Sequence, residues 1–272
     1  MIAISDGRYV AEVYERGAYL SSLKYLDRDL ILPGNPDSPT KAGMAFLAPF
    51  ANRVKGGTYT FGGITYSLPL NSEGNAIHGL LLGVDFDLVD MTGYRVELST
   101  VLEHEGYPSK LKITVSYEMR NGTLTSEARI MNVGQRRAPL VVGWHPYFVV
   151  GDSAWSLVST GSVYRCVSLN KIPTGELRED RFPDHDGSYD DCFYIPSGII
   201  KLMLNGKDYV TLSSSNMRYF QVYTGVRGSV ALEPMSGAPD AYHNGIGLSI
   251  LSPGEEKAYG FSATFTPPAE GG

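Results

Sequence analysis

The most regular pattern of apolar and polar positions lies in the run LKITVSYEMRNGTLTSEARIMNV. Leu111, Ile113, Val115, Tyr117 and Met119 alternate with polar residues; Asn121-Gly122 interrupts the pattern, and Leu124, Ala128 and Ile130 resume it. A period of two puts successive side chains on opposite faces of a strand, and Asn-Gly suits the left-handed backbone of a tight turn. The run therefore predicts a half-buried β-hairpin. YTFGGITYSL repeats the device around Gly62-Gly63, and IIKLMLNGKDYVTLSS around Asn205-Gly206. FQVYTG, GSVALEP and KAYGFSATFTP predict further strands, and residues 1–44 are read as the first strands of the sheet.

Helical patterning is scarce: no stretch of about a dozen residues places apolar side chains at i, i+3, i+4 and i+7 behind a clear cap. PTKAGMAFLAPF fits a turn of helix, limited by Pro49. No linker or low-complexity segment divides the chain, so one all-β sandwich-like domain over residues 1–272 is expected. The stretch KIPTGELREDRFPDHDGSYDD, residues 171–191, is read as a long loop of the kind that often carries function.

Composition narrows the function classes. The 272 residues are 43% hydrophobic and 19% charged, ordinary for a globular protein large enough to bury a core without staples. A net charge of -6 without any basic run argues against nucleic acid and anionic membranes as partners. Cys166 and Cys192 form no CxxC and no metal-ligand spacing, and are expected as reduced thiols. The N-terminus lacks the features of a signal peptide, and no apolar run approaches a membrane span, so a cytoplasmic protein is expected.

Three stretches carry candidate chemistry. VVGWHPYFVV sets one titratable group, His145, in an apolar strand; Pro146 holds the backbone extended, and Trp144 and Tyr147 are candidates for an aromatic wall against sugar C–H faces. Such a histidine is either a core residue with a satisfied hydrogen bond or an acid–base group, and the pattern alone leaves both open. The second stretch holds Asn52, Arg53 and His78, with Gly79 after the histidine pointing to a strand end or turn of close backbone approach. Asn52-Arg53 alone also reads as a solvated turn. The third, VALEPMSGAPDAYHNGIG, puts Glu233 at the end of an apolar strand, where a carboxylate is costly unless paired, used or solvated at the strand exit. GxSxG, HExxH, Walker and GxGxxG motifs are absent, and His78, His145, His185 and Asp190 lack the short spacing of a zinc motif, so no metal is expected.

Taken in order, NRVKGGTYTFGGITYSLPLNSEGNAIHG, WHPYF, PTGEL, YDDCF, LEPMSGAPDAYHNG and LSPGEE resemble the aldose 1-epimerase (galactose mutarotase) family from about residue 45 onward. Trp144 before His145, Pro146 after it, LEPMSG in place of the more usual Leu-Glu-Thr-Gln, and a missing tryptophan downstream of His78 mark a shorter, divergent member. The resemblance implies a large antiparallel β-supersandwich and an enzyme that interconverts the α and β anomers of free hexoses without a cofactor. It implies Glu233 as catalytic base, His145 as catalytic acid, His78 as stabiliser of developing charge, and Asn52, Arg53 and Asp190 as sugar-binding residues. It makes a small sugar the partner of a monomer or homodimer. The alternatives are a hexose-6-phosphate 1-epimerase, with Arg53, Lys55, Lys24 or Arg227 meeting the phosphate, and a non-catalytic sugar-binding protein. A glycosidase fits less well, since it would usually need two carboxylates across one bond.

Overall fold

The computed structural model describes residues 1–182 and 188–267. Its strands form an 11-stranded and an 8-stranded antiparallel sheet, with three two-stranded ribbons beside them. The alternating run of the sequence forms the centre of the smaller sheet. Leu111–Arg120 and Thr123–Asn132 pair in register from Leu111↔Asn132 to Arg120↔Thr123, and Asn121 and Gly122 turn with φ of 50° and 73°. Leu111, Ile113, Val115, Tyr117 and Met119 are all fully buried. Each such side chain contributes roughly 1.5–3 kcal/mol of apolar burial. The hairpins at Gly62-Gly63 and Asn205-Gly206 also form, closing at Phe61↔Ile64 and Leu204↔Lys207.

In the larger sheet, Gly143–Val149, Ser229–Met235, Tyr219–Tyr223, Asp190–Tyr194 and Val163–Leu169 lie side by side. Gly143–Val149 and Ser229–Met235 lack clean alternation because both faces of these strands are covered. One face meets the smaller sheet. There Trp144 packs edge-on against Phe261, with ring centroids 5.6 Å apart, and donates from Nε1 to the Tyr117 hydroxyl at 3.3 Å. The other face carries a second, smaller apolar cluster that includes Ala45, Leu47, Cys192 and Met235. Cys166 and Cys192 are buried free thiols there, with sulfurs 3.4 Å apart.

Three expectations are corrected. Met44–Leu47 within PTKAGMAFLAPF is a strand, not a turn of helix: it pairs with the Gly143–Val149 strand through Phe46↔Trp144 and Ala45↔His145, and all four residues are buried. Residues 171–191 are not one long loop. Ile172–Asp180 is a strand that returns along Val163–Leu169 after a two-residue turn, and Asp190–Tyr194 is another. Ile172–Asp180 lies at the sheet edge with most side chains in solvent, which is why it shows no apolar period. Thirdly, Trp144 and Tyr147 build no common wall. Three residues apart on one strand, they face opposite sides, and Trp144 belongs to the core between the sheets.

Candidate active site

The second face of the larger sheet gathers the polar residues. The register Gly143↔Met235 and Tyr147↔Ala231 sets His145 opposite Glu233 on the neighbouring strand. Gln221 pairs with Glu233 on the next strand, and Tyr223 pairs with Asp190 on the strand beyond. Period two therefore aims His145, Tyr147, Glu233, Gln221, Tyr223 and Asp190 to one side. His145 Nε2 and Glu233 Oε1 are 3.3 Å apart, and both residues are buried. The Tyr147 ring stacks on His145 at 4.7 Å and 19°, and its hydroxyl is anchored on the Thr40 carbonyl at 2.6 Å. Rigid strands and a stacked ring thus fix the imidazole's angle.

The roof is built from the Asn52–His78 region. Arg53–Val54 pairs with Ala76–Ile77, and the His78 amide donates to the Asn52 carbonyl at 2.9 Å. Asn52 and His78 both adopt left-handed φ, 57° and 62°. Asn52 tolerates this conformation, and its Oδ1 accepts from the Arg53 amide at 2.9 Å and from Arg53 Nη1 at 3.2 Å. Gly79 is required where it stands: at φ 83°, a Cβ would lie 2.2 Å from the Ala48 carbonyl oxygen. Asp240 clamps the other side of the Arg53 segment, donating its amide to the Arg53 carbonyl and accepting from the Lys55 amide, both at 2.8 Å. His78 and His145 then meet edge to face, 5.1 Å between centroids.

All six expected residues, Asn52, Arg53, His78, His145, Asp190 and Glu233, line one cavity of about 190 Å³. Glu73, Lys171, Tyr147 and Tyr223 line it too. Neither Glu73 nor Lys171 was singled out from the sequence, although Lys171 opens the stretch 171–191 read there as one that often carries function and Glu73 lies within the first family-like motif. Gln221, whose Nε2 donates to Asp190 Oδ1 at 2.6 Å, was equally hidden; the signal was its position two residues before Tyr223 on a strand flanking Glu233. Of the suggested phosphate contacts, Arg53 lines the cavity; Lys24 pairs with Asp29 at 3.7 Å, and Arg227 borders a different cavity beside Gly151. No group of three or more metal-ligating side chains occurs among the described residues, and His185 lies outside them.

Burial sets the electrostatics. It pushes the Glu233 carboxyl well above the usual carboxylate range, reinforced by Asp190 and opposed by Arg53. It pushes the His145 imidazole down to about 4, with the residue's own backbone dipole and Asp190 partly offsetting it. His78 falls well below the ordinary histidine range through burial, then His145 and Arg53. Low dielectric disfavours charge on each group, so between the two titrations the Glu233–His145 pair carries one proton, on the carboxyl beside a neutral imidazole. His78 Nδ1, His145 Nδ1 and Glu233 Oε2 are buried with no hydrogen-bond partner among the described residues. A hydroxyl-rich ligand is the complement such atoms call for.

A stability consequence follows. The folded Glu233 carboxyl holds its proton more tightly than the unfolded one, so its contribution is intact below the unfolded value and is lost as pH rises through the folded one. Glu233→Gln is thus expected to melt above wild type at pH 8, with the gap closing towards pH 4; each tenfold difference in proton affinity is worth about 1.4 kcal/mol. Thermal melts of both proteins across that range check it; a variant less stable at pH 8 contradicts it.

Comparison with known proteins decides the family. The sequence profile described as aldose 1-epimerase matches residues 1–264. The chain belongs to the aldose 1-epimerase family. Among relatives, it is 29% identical over 276 residues to the uncharacterized protein YihR of Escherichia coli K12, a match covering 93% of this chain and 89% of that one. It is 30% identical over 143 residues to mouse galactose mutarotase, covering 49% of this chain and 41% of the mouse protein. The fold resembles that of a putative aldose 1-epimerase from E. coli K12, with TM-score 0.83 and 22% identity over 96% of this chain and 97% of that one. It also resembles a galactose mutarotase-like protein from Lactobacillus casei, with TM-score 0.85 and 20% identity over 98% and 100%. These structural likenesses establish the galactose mutarotase-like fold of this family member. No helix among its described residues is long and apolar enough to cross a membrane.

Proposed function

We propose that the protein is an aldose 1-epimerase that interconverts the α and β anomers of free hexopyranoses. The observation that carries this reading is the buried Glu233–His145 pair, 3.3 Å apart at the floor of a small polar cavity. Mutarotation needs a proton taken from the anomeric hydroxyl and another given to the ring oxygen. The C1–O5 bond then breaks, the aldehyde carbon turns, and the ring closes on its other face. The pair does both once its single proton, held at rest on Glu233, has passed to His145 across 3.3 Å: Glu233 as carboxylate then accepts from the hydroxyl while His145 as imidazolium donates to the ring oxygen. On closure the two reverse roles. His78, neutral in its buried setting, stabilises charge developing beside the ring oxygen. Arg53, Asn52 and Asp190 hold the remaining hydroxyls, turning an encounter into a positioned complex.

The charges favour a neutral sugar over a hexose 6-phosphate. Arg53 and Lys171, the cations lining the cavity, are each paired with Glu73 and Asp190, so a phosphate dianion would have to break pairs already made. A pure binding protein has no use for a one-proton acid–base pair. The same reading makes it a cytoplasmic protein that needs only its sugar.

Activity is expected to follow a bell-shaped pH profile over the range in which the fold persists. It falls below about pH 4 as His145 holds a second proton, and falls on the alkaline side as the pair loses its last one, above the usual carboxylate range. Exchange NMR between the two anomeric signals measures it. A profile with neither limb contradicts the shared-proton mechanism. A higher kcat/KM for glucose 6-phosphate than for glucose transfers the assignment to a hexose-6-phosphate 1-epimerase.

A further inference from the structure

Asp190, Arg53, Glu73 and Lys171 form a closed ring of alternating charge on the cavity wall. Arg53 Nη2 lies 3.5 Å from Asp190 Oδ2, and Arg53 Nε is 3.0 Å from Glu73 Oε2. Lys171 Nζ closes the ring, at 2.9 Å from Glu73 Oε1 and 3.1 Å from Asp190 Oδ2. The ring is electrically balanced, and Glu73 and Lys171 reach it from separate turns. Lys171 stands at the tip of the hairpin between Val163–Leu169 and Ile172–Asp180, where Leu169↔Ile172 is the last pair. The two turn residues, Asn170 and Lys171, have φ of 50° and 65°. Such a turn favours Asn first and glycine second, because only glycine takes the second position without steric cost. Asn occupies the first position; a long charged side chain occupies the second. Strain kept at one residue that reaches into a cavity points to use. Since surface-accessible ion pairs add little stability, the two pairs made by Lys171, itself nearly half exposed, do not account for it.

We propose that Lys171, completed by Glu73, is a specificity-determining residue of the sugar site. The ammonium has three donor hydrogens; two point to Glu73 and Asp190, leaving one for a sugar hydroxyl. Glu73 and Asp190 likewise keep acceptor capacity beyond the ring. The hairpin tip thereby presents adjacent donors and acceptors to the hydroxyl-bearing edge of a neutral pyranose, while Glu233 and His145 work at its anomeric end. This inference rests on the aldose 1-epimerase reading. It extends sugar recognition to two residues on elements that carry no part of the acid–base pair.

Lys171→Gly separates this role from a structural one. Glycine relieves the turn, so the melting temperature is expected to hold or rise, whereas KM for α-D-galactose rises about tenfold, far more than kcat falls, as loss of a charge-assisted hydrogen bond implies. Glu73→Gln is expected to raise KM as well, and the double variant to be no worse than the poorer single one, because both substitutions open the same ring. Anomer interconversion and an NMR titration with D-galactose are measured for all four proteins. An active wild type with unchanged KM in Lys171→Gly overturns the proposal and leaves the enzyme reading standing, as does a lowered melting temperature with no change in sugar affinity. A folded wild type that neither binds galactose nor speeds its mutarotation removes the enzyme reading and the proposal with it.

Discussion

Glu233→Gln is expected to lower kcat/KM for anomer interconversion by ~10²–10⁴-fold, the usual contribution of a positioned acid–base group. Glutamine keeps the shape of the buried side chain and still offers a hydrogen-bond partner to His145 Nε2, 3.3 Å from the carboxylate it replaces. What it removes is the capacity to accept a proton from the anomeric hydroxyl. The loss should therefore fall mainly on kcat, with sugar affinity largely kept. His145→Asn should give a loss of similar size, and the double variant one much smaller than the product of the two, since the pair moves protons as a unit. Stopped-flow polarimetry on the three variants measures this. Full additivity, or a Glu233→Gln enzyme within a few-fold of wild type, contradicts the pair.

Arg53→Ala is expected to have the second largest effect, and a different kind of effect. Arg53 is almost fully buried, and its guanidinium meets Asn52, Glu73 and Asp190 through three different nitrogens. Removing it leaves Asn52 Oδ1 without one donor and makes Lys171 the one cation left to Glu73 and Asp190, with Gln221 still donating to Asp190. A stability loss of roughly 1–3 kcal/mol is expected from these stranded groups, together with a rise in KM of about 10–100-fold. Arg53→Lys should recover part of the stability but little of the affinity, because an ammonium cannot reproduce the planar fork. Denaturant melts and KM measured on the same preparations separate the two losses. A full recovery of KM by lysine would show that charge, not geometry, is what Arg53 supplies.

Much of the smaller sheet was legible because one of its faces meets the core and the other meets water, so Leu111 to Met119 print the period of two directly. The strands that carry the site were harder to read. Gly143–Val149 and Ser229–Met235 are covered on both faces, so their apolar runs state burial but not orientation. Trp144 and Tyr147 were placed on one wall for that reason. Edge strands failed in the opposite direction: Ile172–Asp180 has too few buried positions to show a pattern and read as loop. His145, Glu233, His78, Asn52, Arg53 and Asp190 were found because each falls in an ordered set of short motifs resembling one family, and the fold brings all six to one cavity. Lys171 was reached only as the first residue of a stretch read as functional, and Glu73 was not singled out at all. The two lie 98 residues apart along the chain, and only the closing of the sheet makes them neighbours.

The central claim, that this cavity opens and recloses a hexose ring, is tested most directly by optical rotation of freshly dissolved α-D-glucose and α-D-galactose in the presence of the wild-type protein. The expected result is a relaxation to the equilibrium rotation faster than in buffer, with a rate proportional to protein concentration and an unchanged end point. Relaxation at the buffer rate for both sugars, with folded protein throughout, would contradict the account.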